Sequence, residues 1–170
     1  MNLFGFGEPG DHKWIMVDIG VTFADDTIPG IDLIYPDPGF IVERKDNLLG
    51  IVLTHAHEDH IGAIAHLWPQ LKCKIFATPF TALLIKEKFK EKHIDITNDL
   101  EIVQLNGKIF LSEFEIEYIT LTHSILEPNG LRIKTPAGVI LHTGDWKVDP
   151  NPLIGDEINS KSCLLYTSDA

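Results

Sequence analysis

THAHEDHIGA (residues 54–63) places three histidines and two acidic residues at a predicted strand-to-helix junction. GIVLTH (50–55), which leads into it, is apolar and β-branched and is typical of a buried strand. DHIGAIAHLWPQL follows with apolar residues at helical spacing, and Asp59 occupies the expected N-cap. Side chains of extended chain alternate, so His55, His57 and Asp59 project to one side. The turn into the helix then brings His60 beside them.

This convergence of imidazole and carboxylate groups predicts a metal site. Both groups suit zinc, with manganese or iron as alternatives. A catalytic zinc site uses about three protein ligands and leaves one position open for water. The four side chains therefore supply parts of two such sites, and the missing ligands must come from elsewhere in the chain.

Three other polar residues follow predicted strands in the same way. His123 comes after FEIEYITLT, Asp145 after GVILHT, and Asp18 ends a short apolar run in VDIG. Each alone would be an ordinary turn residue, but beside the first motif His123 and Asp145 become candidate ligands. Asp18 has two interpretations: an acceptor that orients a ligand histidine, or a cap on its own turn.

The remaining titratable residues near these motifs have other predicted roles. Glu58 lies between the ligand-type residues but points to the opposite side, which favours a solvated or supporting role. His142 lies within a strand, and we interpret it as a buried residue that supports the site rather than binds metal. We expect the other three histidines, His12, His66 and His93, on the surface.

The order of predicted elements indicates an α/β (α+β) fold. Strands are expected at 14–20, 50–55 and 73–78, with a Pro-, Gly- and Asp-rich loop after the first. A second helix should start at Pro79 with Thr78 as its cap. Five short β-rich segments then follow, separated by turn signals. This order predicts a sheet with helices on its outer face and a second sheet packed inside.

Composition limits the function classes. The formal charge of −11 argues against nonspecific nucleic-acid binding, although bound divalent cations would offset part of it. No apolar run approaches the roughly 18 residues of a membrane span, and no basic-then-apolar leader opens the chain. We therefore expect a cytoplasmic protein without a membrane partner, with Cys73 and Cys163 as reduced thiols.

THAHEDH, His123 and the Asp145 of HTGD together resemble the metallo-β-lactamase superfamily. The flanking phrases PGIDLIYPDP, ATPFTALL and HTGDWKVDP are similar to one group of its β-CASP branch, the ribonuclease J family. The resemblance runs from residue 1 to about residue 155. It implies a partial αββα sandwich and a ribonuclease that cleaves RNA from the 5′ end or internally, in which a hydroxide activated by two metals attacks a phosphodiester.

The resemblance also implies a role for each motif residue. The complete site would hold two zinc ions, or manganese, with Asp145 bridging them and Asp59 also assisting catalysis near the attacking water. The implied ligands are His55, His57, His123 and Asp145 for the first zinc, and Asp59, His60 and Asp145 for the second. A further histidine ligand of the second zinc lies in a later segment of family members. RNA would be the substrate of the full-length protein, which we expect to be a homo-oligomer.

The chain departs from the family pattern in several places. We expect residues 1–155 to be an N-terminal fragment, a partial domain truncated before the β-CASP insert, with Met1 as an internal methionine. Residues 156–170 do not continue the pattern and are interpreted as a non-native tail. Leu126 stands where the family usually has proline, which would soften the turn behind His123. Weak or absent activity is expected from this chain alone.

Two alternatives to a ribonuclease stay open. The same fold and metals would serve a hydrolase of a small ester, thioester or lactone, because both kinds of enzyme activate water. A non-catalytic metal-binding scaffold is the third hypothesis. Replacement of Asp59 separates the scaffold from the enzymes, because only an enzyme depends on that carboxylate.

Overall fold

The computed structural model describes residues 1–147, 149 and 151–153. Two β-sheets pack face to face, and helices cover the outer side of the first sheet, so the predicted α/β architecture is confirmed. The predicted domain boundary after residue 155, the tail at 156–170 and Cys163 lie outside the described residues. Across the described residues, no helix combines the length and apolar content needed to cross a membrane.

The first sheet has five strands, and most of them run parallel. An antiparallel β1 pairs with β2 at one edge, and the following strands pair in parallel in the order β2, β5, β6, β7. Their bounds are Asn2–Phe6 (β1), Lys13–Val17 (β2), Leu48–Val52 (β5), Ile75–Ala77 (β6) and Leu100–Ile102 (β7). Because β2 and β5 are parallel neighbours, the segments that follow them leave the sheet at the same edge.

The second sheet is antiparallel, in the order β11, β10, β9, β8. Its strands are Lys108–Leu111 (β8), Phe114–Thr120 (β9), Asn129–Thr135 (β10) and Gly138–His142 (β11). A separate two-stranded hairpin, Thr22–Phe23 (β3) with Leu33–Ile34 (β4), lies in the Pro- and Gly-rich segment. The β-rich second half of the sequence therefore forms the predicted second layer.

Four α-helices are present in the described residues, with a single 3₁₀ turn at Lys45–Asn47. They are Gly39–Val42 (α1), Glu58–Ile61 (α2), Ile64–Leu71 (α3) and Pro79–Glu91 (α4). The predicted start of α4, with Thr78 at the N-cap and Pro79 in the first turn, is confirmed.

The single helix expected from Asp59 onward is wrong, since the structure divides it into α2 and α3. The N-cap of α2 is His57, and Asp59 lies inside the helix. The division occurs where the Ala63 N–H donates to the carbonyl of Ile19 at 3.0 Å instead of continuing the α2 ladder. The connection after β2 therefore determines where α2 ends.

Alternating side chains of the first sheet serve two separate cores. Met16 and Ile51 face the helices, where they join Ile64 and Phe89, whereas Val17 and Val52 face the second sheet. The core between the sheets also contains Tyr118, Leu131 and Ile133, all fully buried. Both faces of the first sheet are thus apolar, as expected for parallel strands covered on both sides.

Candidate metal centre

The predicted ligands gather at one edge of the sandwich, each carried by a segment that follows a strand. The His55–His60 segment follows β5, and Asp18 follows β2 in the same sheet. His123 follows β9 and Asp145 follows β11 in the second sheet. Two overlapping groups of ligand atoms result, each within 4.8 Å: His55, His57 and His123, and His55, His60 and Asp145.

The first group has three imidazole nitrogens at short separations. His57 Nδ1 lies 3.1 Å from His55 Nε2 and 3.2 Å from His123 Nε2. A tetrahedral zinc with bonds of about 2.0–2.1 Å requires nitrogen–nitrogen edges of about 3.3–3.4 Å, so the observed separations are near those of a zinc ligand set. His55 is fully buried, while His57 and His123 are partly exposed, which leaves the group open to solvent on one side.

The second group centres on His60 and Asp145. Asp145 Oδ2 lies 3.4 Å from His60 Nε2 and 4.0 Å from His123 Nε2, between the two groups, where a bridging carboxylate would stand. Asp59 Oδ2 lies 3.7 Å from His60 Nε2, but Asp59 belongs to neither group, and its side chain is 65% exposed. The ligand role of each of these residues stays a prediction.

Asp18 lies behind the ligands in a buried network. Asp18 is 3% exposed, and its left-handed φ of 57° turns the chain out of β2. Asp18 Oδ1 accepts the backbone N–H of Thr54 at 2.8 Å, and Oδ2 accepts the Thr54 hydroxyl at 2.8 Å. Oδ2 also lies 2.8 Å from His60 Nδ1, so that nitrogen donates and His60 Nε2 is left facing Asp145.

The same network orients His55 through Thr54. Because the Thr54 hydroxyl donates to Asp18, its oxygen is available to accept from His55 Nδ1, which lies 3.0 Å away. That hydrogen bond places the ring proton on Nδ1 and leaves Nε2 free on the side of His57. Asp18 thus acts on two ligand-type histidines, on one directly and on the other through a hydroxyl.

The backbone of residues 19–21 is hydrogen-bonded to helix α2, which carries Asp59 and His60. Ile19 N–H donates to His60 O at 2.7 Å, and Val21 N–H donates to Glu58 O at 3.0 Å. Gly20 lies between them so close to α2 that a Cβ at this position would be 1.7 Å from Asp59 O. Only glycine permits this approach of the two backbones.

Burial and charge shift the pKa values of the clustered histidines in different directions. Burial, assisted by the neighbouring His60, lowers the pKa of His55 to about 4. Burial also lowers the pKa of His123, with His57 adding to the effect and Asp145 opposing it. For His60, burial is outweighed by the hydrogen bond and charge of Asp18 and by the charges of Asp145 and Asp59, so its pKa is raised.

Two further residues have supporting contacts. His142 Nδ1 accepts the backbone N–H of Gly144 at 3.3 Å, and the His142 ring makes an edge contact with Phe4, so it links β11 to β1. Burial lowers the pKa of His142, and the charge of Asp18 opposes that shift. Glu58 forms an ion pair with Lys88 of α4, at 2.6 Å. His66 and His93 are exposed, and His12 is partly buried beside Trp14.

Three residues with structural roles at the site were missed in the sequence. The sequence pattern identifies Thr54 only as a strand residue, although a hydroxyl directly before the first histidine is a recognisable signal. Asn129 follows Pro128 in a turn-like stretch of sequence, yet it is 1% exposed and its side-chain nitrogen donates to the Thr54 carbonyl. Glu127 Oε2 accepts the Phe80 N–H at 2.8 Å and so caps α4 from a distance of 47 residues in the chain.

The sequence of this chain matches a known family and several known proteins. Residues 13–169 match a family model described as the beta-lactamase superfamily domain. The chain is similar to ribonuclease J of Sinorhizobium meliloti, at 43% identity over 91% of this chain and 28% of that protein. It is similar to ribonuclease J of Helicobacter pylori at 40% identity, over 89% of this chain and 23% of that protein. The chain thus spans about a quarter of the length of these relatives.

Solved structures show the same fold. A metallo-beta-lactamase from Cronobacter sakazakii has a TM-score of 0.56 at 18% identity, with 84% of this chain and 58% of that chain covered. Zn²⁺-bound PqqB from Methylobacterium extorquens has a TM-score of 0.56 at 9% identity, with 82% and 51% covered. The fold class predicted from the sequence is confirmed by these likenesses, which at such low identity concern the fold alone.

Proposed function

This chain belongs to the beta-lactamase superfamily, and from that membership we propose that it is part of a zinc-dependent ribonuclease of the ribonuclease J type. One observation carries the proposal: His55, His57 and His123 converge beside His60 and Asp145 in a chain 43% identical to a ribonuclease J. The whole protein's activity, its RNA substrate, its cytoplasmic location and its homo-oligomeric state are parts of this proposal.

The donor set fits zinc, and manganese is the second candidate. His55 Nε2, His57 Nδ1 and His123 Nε2 would hold the first ion, and His60 Nε2 with Asp59 would hold the second, with Asp145 Oδ2 between them. When bound, the two ions would acidify a water molecule and offset negative charge on the phosphate in the transition state. A further histidine for the second ion is expected from the longer protein.

The chain's own residues would orient and hold protons around this centre. Asp18 and Thr54 keep the ring protons of His60 and His55 on Nδ1, which points each Nε2 into the site. Asp59 is exposed and has His60 on one side, so its carboxylate is available to accept a proton during hydrolysis. The partly exposed side at His57 and His123 would admit the phosphodiester.

The charge of this chain does not favour RNA binding. Its formal charge of −11 opposes a polyanion, and Glu58 and Glu87 pair with lysines of α4. We therefore place the RNA-gripping surface in a β-CASP domain of the longer protein, with residues 1–155 as part of the catalytic domain and residues 156–170 as a tail. The isolated chain is then expected to cleave RNA weakly or not at all.

The test is RNA hydrolysis by the longer protein that contains this sequence, loaded with zinc. Asp59→Asn should reduce cleavage of a 5′-labelled RNA by at least about 100-fold, because a group that handles protons is lost. Asp26→Asn, in the exposed hairpin segment, is the matched carboxylate control and should cleave normally.

Two outcomes would contradict the proposal. Hydrolysis of a thioester or lactone without RNA cleavage by the zinc-loaded protein would assign it to the small-molecule hydrolases. Cleavage of neither substrate, with zinc binding intact, would favour the metal-binding scaffold.

A further inference from the structure

Asn129 lies at the meeting point of the two segments that supply the first group of imidazoles. It is the first residue of β10, pairs with Thr120 of β9, and is 1% exposed. Its carboxamide nitrogen donates to the Thr54 carbonyl at 3.0 Å and to the Glu127 carbonyl at 2.7 Å. A single side chain thus joins the residue before His55 to the loop that follows His123.

The third ligand-bearing segment also packs on Asn129. Gly144, directly before Asp145, has a φ of 57°, and a Cβ there would lie 2.7 Å from the Asn129 carbonyl oxygen. The turn that carries Asp145 therefore rests on the backbone of Asn129, while the side chain of Asn129 holds the other two segments.

The loop after His123 is held at a second point, Glu127. A displacement of Asn129 would therefore be transmitted through this loop to His123. Glu127 has a left-handed φ of 52°, and its carboxylate accepts the Phe80 N–H at the start of α4. The carbonyl of the same residue accepts from Asn129. The loop is thus held between the start of α4 and the segment that follows β5.

We propose that Asn129 is a positioning residue of the metal centre, whose carboxamide sets the distance between His123 and the His55–His57 pair. This inference rests on the proposed function, since it concerns the zinc site. Two N–H donors on one planar group are required, because the acceptors are two backbone carbonyls that belong to different segments. Aspartate has the same shape, but its carboxylate cannot donate hydrogen bonds and would repel both carbonyl oxygens.

The effect of Asn129 extends to the second group of ligands. Thr54 receives the Asn129 hydrogen bond at its carbonyl and donates its N–H and hydroxyl to Asp18, which in turn holds His60. A displacement of Thr54 therefore moves the acceptor that fixes His60 as well as the adjacent His55. Loss of the Asn129 side chain should displace the ligand atoms of both groups, and those of the first group more strongly.

The experiment measures zinc binding by the 170-residue chain in competition with a chromophoric chelator, and the visible absorption of the chain with Co²⁺. The variants are Asn129→Ala and Asn129→Asp. Tyr118→Phe is the matched control, because it removes a fully buried side-chain hydrogen bond to a backbone carbonyl, that of Phe76 at 3.1 Å, between the same two sheets. Unfolding by urea in EDTA gives the stability of each metal-free variant.

Both Asn129 variants should bind the first zinc about 10- to 100-fold more weakly and show an altered Co²⁺ spectrum. Tyr118→Phe should lose stability yet keep the wild-type zinc affinity and spectrum. Wild-type affinity and spectrum in the Asn129 variants would overturn the inference and leave the proposed function intact. Absence of zinc binding by the wild-type chain would instead contradict the first zinc site, on which both this inference and the proposed function rest.

Folding failure also has a defined meaning in this test. Asn129→Asp keeps the size of the side chain and serves if Asn129→Ala does not fold. If neither variant folds while Tyr118→Phe does, Asn129 is a stability residue, and the positioning role is overturned.

Discussion

At the scale of single residues, neighbouring imidazoles of the site differ in their affinity for protons. His55 is fully buried and has a pKa of about 4, so it is neutral at neutral pH and its Nε2 lone pair is available to a metal. His60, hydrogen-bonded to the Asp18 carboxylate, has a raised pKa. A larger fraction of His60 is therefore protonated, and a metal must displace that proton to bind. Metal binding should therefore release protons chiefly from the second group.

The pKa of His55 predicts how the stability of the metal-free chain depends on pH. The folded-state pKa of about 4 lies below the unfolded value of 6.5, so the unfolded chain takes up the proton first. The contribution of His55 to stability is thus largest above pH 6.5 and falls as the pH drops toward 4. Between pH 7 and pH 5, His55 should cost about 2 kcal/mol of unfolding free energy, measured by urea in EDTA.

His60 acts in the opposite direction, because a raised pKa contributes stability at low pH that is lost as the pH rises through the folded value. The comparison with His55→Gln isolates the His55 contribution, since the variant should lose about 2 kcal/mol less over this range. His93→Asn, at an exposed position with a φ of 56° that asparagine tolerates, is the control. Equal pH dependence in wild type and His55→Gln would contradict the prediction.

At the scale of elements, the most restrictive contact joins the segment after β2 to helix α2. Gly20→Ala would place a Cβ 1.7 Å from Asp59 O and would have to separate two backbones that share three hydrogen bonds, from Ile19, Val21 and Ala63. We expect a loss of about 3 kcal/mol or more in urea unfolding, together with weaker zinc binding, because α2 carries ligand candidates.

Gly39→Ala is the matched control for this prediction. A Cβ at Gly39 would meet only the side chain of Asp37, at 3.1 Å from Oδ1, which can rotate away. Its unfolding free energy should change by less than about 1 kcal/mol. A Gly20→Ala chain as stable as Gly39→Ala would show that the close approach of residues 19–21 to α2 is not needed.

Local signals in the sequence predicted whole elements well, and distant contacts explain where the prediction was wrong. Thr78 and Pro79 marked the start of α4, and the motif from His55 to His60 marked the junction after β5. The division between α2 and α3 depends on the carbonyl of Ile19, more than forty residues earlier in the chain. No helical periodicity records such a contact.

The site was predictable for residues whose chemistry is ligand-like and not for residues that act through the backbone. His123 and Asp145 stand out as polar residues after strands, and the structure brings both to the motif. Thr54 and Asn129 are ordinary residue types, and their roles depend on carbonyls and carboxylates supplied by other elements. β1 went unpredicted as well, because Gly5, which packs on the Trp14 ring, interrupts its apolar pattern.

At the scale of the whole molecule, the candidate metal centre lies between the two layers of the sandwich. The His55–His60 segment follows a strand of the first sheet, and His123 and Asp145 follow strands of the second. A ligand that binds the folded chain and not the unfolded one stabilises it by about 2.7 kcal/mol at a hundred times its dissociation constant. Zinc at that excess should therefore raise the melting temperature by about 5–10 °C.

Differential scanning fluorimetry with zinc and with EDTA measures this shift. His66→Gln, an exposed histidine on α3 outside both ligand groups, should show the full increase. His123→Ala should lose most of it, because the first group then lacks its ligand from the second sheet. An equal zinc effect in wild type and His123→Ala would mean that the ion binds elsewhere.

The contribution of both sheets to one set of ligands also has a consequence for the order of events in folding. His57 and His123 are 66 residues apart in the chain, and their ring nitrogens come within 3.2 Å only when β9 has docked against the first sheet. A nascent chain that has completed only its first sheet has the His55–His60 motif but lacks His123 and Asp145. Tight metal capture should therefore be a late step, and its rate should report the moment at which the two layers associate.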